Sequence, residues 1–459
     1  MSVVTILRLF RPASVSRNLA AVNSASILHK KYVNRQIKTD LYSSYFRGFS
    51  ASPRLGQQTL SRNPPRPIGS AVRIASSTLT KDGQFVNVQW DNSVEATYPY
   101  CWIRDNCPCS DCFHINENIS ERLIPISQQN IDNRASEIHV DEDGQFIRVT
   151  GTDGHPSTLE ASWLFDRQLC KKDSCASDVV KPILWDTADI QKVYPTFQYN
   201  DIISDNDGLR AWLDALKRYG VALLQNSPTQ ENELLNLGKR VSFLREAMWG
   251  LISSIKAKPD SYVLAYSSGT ILLHADMAYM TLQPGVLLLH CLSNPAGTGG
   301  ENMLVDGFNA ARILKETDAE AYRILTTVKV EHGITGIEHG SYFHYHLSKP
   351  TISLDDDGNP VCISYHEHLR TSKVSASTVE EVAEFYRALK KFSDILYDPV
   401  NMYKRRLLEG EILAVSNIRL LHGRESFTFT EDKARHIESA YLDWNEIDSR
   451  LRVLKKGLI

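Results

Sequence analysis

A His and an Asp separated by one residue, in Leu273-His274-Ala275-Asp276, and a second His in Leu421-His422-Gly423-Arg424 restrict what this chain can fold into. On extended backbone, side chains two residues apart point to the same side, so His274 and Asp276 can hold two corners of one metal. A third ligand must come from elsewhere in the fold. His422 is the natural candidate because it directly follows the apolar run Ile418-Arg419-Leu420-Leu421, although 145 residues lie between it and Asp276. Two imidazoles and a carboxylate on one face of an ion, with the other positions open, form the facial triad of non-haem Fe(II) oxygenases. Taken alone, a His-x-Asp pair fits a surface turn equally well.

Three companions strengthen the reading. Arg435 lies thirteen residues past His422. An oxygenase limited to one-electron iron chemistry needs a co-substrate for further electrons, and the far carboxylate of 2-oxoglutarate suits a guanidinium fork. Val286-Leu287-Leu288-Leu289-His290 reads as a buried strand after Pro284-Gly285, with His290 and Cys291 as core. Gly297-Thr298-Gly299-Gly300-Glu301 is a turn leading into Asn302-Met303-Leu304-Val305-Asp306-Gly307.

These motifs occur in order with Asn417-Ile418-Arg419-Leu420-Leu421-His422-Gly423-Arg424 and Arg435-His436-Ile437-Glu438-Ser439-Ala440-Tyr441. From about Tyr98 to the C-terminus the chain resembles the gamma-butyrobetaine hydroxylase and trimethyllysine hydroxylase family of 2-oxoglutarate dioxygenases. The resemblance implies Fe(II) on His274, Asp276 and His422, 2-oxoglutarate on Arg435, ascorbate as an ancillary reductant, and a homodimer. It also implies a small quaternary ammonium substrate of carnitine biosynthesis, with gamma-butyrobetaine first and trimethyllysine or a related betaine or amino acid as the alternative. Such a cation donates no hydrogen bond, so recognition falls to an aromatic cage through cation–π attraction, worth up to ~2 kcal/mol when desolvated. By the resemblance, Trp249, Tyr266 and Tyr441 stand at cage positions. The sequence departs from the family at Ser253, where an aromatic is expected, and at Val263 and around His366-Glu367, where substrate-binding asparagines are expected. Met277 stands where the family has Tyr. The C-terminal Tyr441-Leu442-Asp443-Trp444 and Ser449 to Leu454 favour the butyrobetaine branch.

The first 57 residues carry nine Lys and Arg between Arg8 and Arg54 against one acid, Asp40. An Arg- and Ser-rich, acid-poor start reads as a mitochondrial transit peptide, with Phe46-Arg47-Gly48-Phe49-Ser50 resembling a processing site. This points to the mitochondrial matrix, with the cytoplasm as the alternative. Residues 58–69, with three prolines, read as a linker. The formal net charge of -3 gives no reason to expect a nucleic-acid partner. No run of eighteen apolar residues predicts a membrane span.

Residues 70–175 read as a small β domain. Val86, Val88 and Trp90 alternate with Asn87 and Gln89, and Gly144 to Val149 repeats the pattern. Between them lies Cys107-Pro108-Cys109-Ser110-Asp111-Cys112. Three thiols this close make a strained disulfide set, so the spacing favours zinc, which wants a fourth ligand. By the family resemblance that ligand is His155, in Gly154-His155-Pro156 before Trp163; His114, His139, Cys170 and Cys175 are rivals. A closed site of this kind staples a small core rather than catalysing.

The catalytic domain is expected over 195–459. Leu209, Trp212, Leu213 and Leu216 have helical spacing, ended by Gly220 before the strand Val221 to Leu224. Thr378-Val379-Glu380-Glu381 is a capping box for a helix with Val382, Phe385, Leu389 and Phe392 on one face. Short strands elsewhere and the resemblance imply a mainly β fold with flanking helices, a double-stranded β-helix (jelly roll), with long loop-like insertions between Asp276 and His422. The alternative of a different class is a catalytically silent, zinc-stapled scaffold.

Overall fold

The computed structural model describes residues 72–115, 120–169, 180–257, 266–294, 298–338, 340–428 and 434–458. The transit peptide and linker expectations, Val263, Cys170 and Cys175 lie outside them.

Two sheets build the catalytic part. One has six strands in the order Ser253–Lys256, His436–Leu442, Val286–Ser293, Ile412–Ser416, Val221–Gln225 and Thr196–Gln198. The other has four, in the order Ile271–His274, Leu420–Arg424, Asn302–Asp306 and Met402–Arg405. Strand alternation decides what each face meets. Leu223, Cys291, Leu413, Val415 and Ile437 of the first sheet pack with Leu304 and Leu420 of the second, so the two sheets face each other. The intervening residues point outward. Val286, Leu288, Ala414, Ala440 and Leu442 pack on helices of the first sheet's outer side, whereas Leu273, Met303, Val305 and Leu421 pack on the helices Gly307–Thr317, Ala319–Thr327 and Val379–Tyr397. Because both faces are covered, strands such as Ile412–Ser416 and Leu420–Arg424 are buried at every position. This is the jelly roll with flanking helices that the sequence implies.

The helix Asn206–Tyr219 buries Leu209, Trp212, Leu213 and Leu216, as their spacing predicts, and ends at Gly220 with φ 74°. Thr378 caps Val379–Tyr397 by accepting from Glu381 N at 3.2 Å. The return bond of the box goes to Ser377 N, one residue before the position the motif predicts. Phe385, Leu389 and Phe392 are buried and Val382 is half-buried. The expectation of loop-like insertions between Asp276 and His422 is corrected. That span carries three helices and a sheet built on the hairpin Lys329–Glu338 and Ser341–Pro350. Its helices cover the outer face of the four-stranded sheet, which loops would leave wet.

Residues 72–169 form two three-stranded antiparallel sheets around a separate apolar cluster that includes Val86, Val88, Trp90, Ile147, Val149 and Trp163. The two alternating strands run over Phe85–Trp90 and Phe146–Gly151. Among the described residues no helix is long and apolar enough to cross a membrane.

Candidate active site

His274 and His422 are direct partners across two antiparallel strands. Cross-strand partners carry their side chains on the same face, and the two rings lie with centroids 4.2 Å apart. Asp276 follows the end of the first strand. Its Oδ1 lies 3.3 Å from His274 Nε2 and 3.7 Å from His422 Nε2. One ligand atom from each of the three residues falls within 4.8 Å of the others. The sequence thus brings together its three distant candidates by pairing register, and the 145 intervening residues are looped out around them.

The neighbours fix each donor. His274 Nδ1 donates to Leu272 O at 2.8 Å, which leaves the Nε2 lone pair for a metal. Asp276 N donates to Asn417 Oδ1 at 2.7 Å, while Asn417 Nδ2 donates to Asp276 O at 3.0 Å and Pro284 O at 3.1 Å. Tyr441 Oη donates to Asp276 Oδ2 at 2.9 Å. Burial pushes the Asp276 carboxyl up, but the two imidazoles and the Tyr441 hydroxyl outweigh it and hold the group well below the usual carboxylate range. Burial lowers His422 to about 4, so its imidazole is neutral and free to ligate. Met277, directly after the carboxylate, is buried in a left-handed conformation with φ 55°.

A cavity of about 350 Å³ opens beside this cluster and lies between the two sheets. Trp249, Tyr266 and Tyr441 all line it, with the Trp249 and Tyr441 ring centroids 6.4 Å apart. Phe343, from the hairpin, also lines it; no signal in the sequence singled it out. Arg435 lines the cavity while being only 7% exposed. Its buried Nε makes no hydrogen bond, and burial lowers its guanidinium to about 10. A buried guanidinium that lines a cavity is the complement of a carboxylate. Arg424, two residues past His422 on the same strand, lines the cavity too.

Ser253 lines the cavity opposite Ser439, its partner in the sheet. His366 and Glu367 do not. Glu367 is tied to Arg370 at 2.8 Å, and His366 packs its ring 4.6 Å from His274. Glu367 therefore does not take the place of the substrate-binding asparagine expected at this position. His290 is core as expected, fully buried with Nε2 2.9 Å from Ser227 Oγ.

In the small module, Cys107, Cys109, Cys112 and His155 converge. His155 Nε2 lies 3.3, 3.7 and 3.6 Å from the three sulfurs in turn. Zinc bonded to sulfur and nitrogen at ~2.3 and ~2.0 Å in a tetrahedron would set those atoms about 3.5 Å apart. His114 and His139 are not in the cluster. Arg104 Nη1 reaches Cys112 Sγ at 2.9 Å, a cation suited to a thiolate.

Comparison with known proteins agrees with this geometry. The family model described as taurine catabolism dioxygenase TauD, TfdA family matches residues 184–441, more than half of the chain. A second, described as gamma-butyrobetaine hydroxylase-like, N-terminal, matches residues 77–164. The chain belongs to the gamma-butyrobetaine hydroxylase-like dioxygenases. Among these dioxygenases, the gamma-butyrobetaine dioxygenase of Homo sapiens is 30% identical over 389 residues, covering 84% of this chain and 98% of that protein. The enzyme of the same name from Pseudomonas sp. is 30% identical over 393 residues, covering 85% and 97%. The mitochondrial trimethyllysine dioxygenase of Mus musculus is 26% identical over 361 residues, covering 78% and 82%. As a member of this family the chain is an Fe(II)- and 2-oxoglutarate-dependent dioxygenase acting on a small molecule.

Proposed function

We propose that this dioxygenase hydroxylates gamma-butyrobetaine, the trimethylammonium precursor of carnitine, with His274, Asp276 and His422 holding Fe(II) and Arg435 gripping the distal carboxylate of 2-oxoglutarate. The observation that carries the reading is that Trp249, Tyr266, Phe343 and Tyr441 line the same cavity as the two imidazoles and the carboxylate. Fe(II) and 2-oxoglutarate, when bound, supply the oxidant that turns an unactivated C–H bond into an alcohol. The chain itself does the positioning. Asn417 and Tyr441 aim Asp276, and the aromatic rings receive the quaternary ammonium group. Leu287, Leu289, Ile271 and Ile437 line the cavity with apolar surface that keeps water from the reacting carbon. Incubation with gamma-butyrobetaine under Fe(II), 2-oxoglutarate and ascorbate should give a product heavier by one oxygen. Absence of that product sinks the substrate assignment.

Trimethyllysine is the second reading. Ser253 and Ser439, side by side in the cavity, offer hydroxyls to an amino-acid end, and the basic N-terminus fits the mitochondrial address that the mouse relative's name carries. The same incubation with trimethyllysine separates the two. A silent scaffold would release no succinate from 2-oxoglutarate under either condition. We further assign a structural zinc to Cys107, Cys109, Cys112 and His155 in a module spanning 70–175, a homodimeric assembly, and a matrix location after removal of residues 1–57.

A further inference from the structure

Arg424 and Arg435 bring two buried guanidiniums to one cavity, and the ring of Phe427 lies against both. Its centroid is 4.7 Å from the Arg424 guanidinium carbon and 5.6 Å from that of Arg435. Both lie within cation–π range, so one ring attracts two cations whose like charges repel.

The backbone of Phe427 is held as firmly as its ring. Phe427 N donates to Ser268 O at 3.0 Å, and Phe427 bridges Gly299 on the other side. A Cβ on Gly299, whose φ is 84°, would collide with Ser426 O, so only glycine lets that turn approach. Arg424 Nη2 grips the same loop as Phe427 N, donating to Ser267 O at 2.6 Å and to Gly269 O at 2.7 Å. This loop directly follows Tyr266 of the aromatic wall and runs into the strand that bears His274.

We propose that Phe427 is a positioning residue that couples the two binding sites: it spaces Arg435 from Arg424 and ties the Tyr266 loop to the co-substrate end of the cavity. A dicarboxylate on Arg435 neutralises one of the two charges and relaxes the stack, which steadies Arg424 and the loop it holds. By linkage, the ammonium substrate then binds more tightly when 2-oxoglutarate is bound, and 2-oxoglutarate gains by the same factor. The inference rests on the assignment of Arg435 to 2-oxoglutarate and of Tyr266 to the ammonium group.

The test is the KM of the turned-over substrate, gamma-butyrobetaine or trimethyllysine, measured at 2-oxoglutarate concentrations from well below to well above saturation. In the wild type the substrate KM should fall roughly fivefold across that range. Phe427→Ala should bring the ratio to about one and raise the 2-oxoglutarate KM by a similar factor, with kcat at saturation of both substrates little changed. Phe427→Tyr should restore the ratio. Phe427→Leu, which keeps bulk without a π face, should lose it while keeping a native circular dichroism spectrum, and it decides the matter if the Ala variant does not fold. A ratio as large in the Leu variant as in the wild type overturns the proposal. Arg435→Ala separates the layers. If it leaves the 2-oxoglutarate KM unchanged, the co-substrate assignment itself fails; if it raises that KM while Phe427→Leu keeps the ratio, only the coupling role fails.

Discussion

Replacing Tyr441 with Phe removes one oxygen and leaves the ring in the cavity, so it separates two roles that one side chain combines. The Tyr441 hydroxyl is deeply buried and donates to Asp276 Oδ2 at 2.9 Å. Burial, reinforced by the neighbouring carboxylate, raises its pKa well above the ordinary tyrosine value. It therefore keeps its proton throughout the working range and acts only as a donor. A hydrogen bond to a charged group contributes about 1.5–3 kcal/mol. The Asp276 side chain is 19% exposed, so water can take the vacated place and the lower end applies. About 1.5 kcal/mol corresponds to roughly tenfold in an equilibrium constant, in line with the effect of groups that orient metal ligands. The Fe(II) concentration giving half-maximal rate should rise roughly tenfold, with the ammonium substrate KM changed by less than about twofold. Tyr441→Ala, by contrast, should raise both. Initial rates across an Fe(II) series with ascorbate, and iron retained after gel filtration, measure the effect. A Phe variant with wild-type iron dependence, or with a substrate KM raised as far as in the Ala variant, refutes the reasoning.

Asp276→Ala should abolish substrate-dependent succinate release while zinc stays near one per chain by elemental analysis; retained hydroxylation would falsify the iron assignment. Cys109→Ser should expel zinc and, since structural zinc contributes on the order of 10 kcal/mol, unfold the small module, seen as loss of one calorimetric transition; an unchanged thermogram and zinc content contradict the tetrad. Burial holds His290 and His332 near 4 against an ordinary value of 6.5. The unfolded chain therefore takes up protons that the fold rejects, and stability falls as pH drops from about 6.5 towards 4, by up to about 2 kcal/mol per histidine at pH 5. Urea midpoints at pH 7 and 5 should differ less in His290→Gln than in the wild type; an identical pH dependence would show that His290 does not contribute.

What the sequence made legible is what period and spacing encode. The helix ending at Gly220 and the alternating strands of the small module follow from local pattern, because each buries its apolar face against a neighbour. His274 and Asp276 could be placed on one side by strand geometry alone. Their meeting with His422 could only be expected, because the register that pairs His274 with His422 is a long-range fact. Asn417 stood in a quoted motif without a role, since an asparagine before a strand reads as a turn residue and its two carbonyl partners, Asp276 and Pro284, are more than a hundred positions earlier. Phe343 was illegible for the same reason: nothing local says that a hairpin strand will reach the cavity. Glu367 was misplaced towards the substrate because sequence position cannot show that Arg370, one helical turn's spacing away, takes up its charge.

The Asn417 clamp carries one more consequence. A single amide joins the Asp276 turn to the connection leading into the His422 strand through bonds that need no ion. The catalytic cleft should therefore survive repeated loss and reloading of its metal without refolding, as a socket keeps its shape when the plug is drawn. In the thiol module the ties to the His155 loop are looser, with Arg104 reaching Cys112 Sγ at 2.9 Å and Asp153 at 3.9 Å, and Cys107 Sγ lying 3.8 Å from Pro156 O. A chelator strong enough to strip both sites should therefore leave a protein that recovers the iron site more readily than the zinc site.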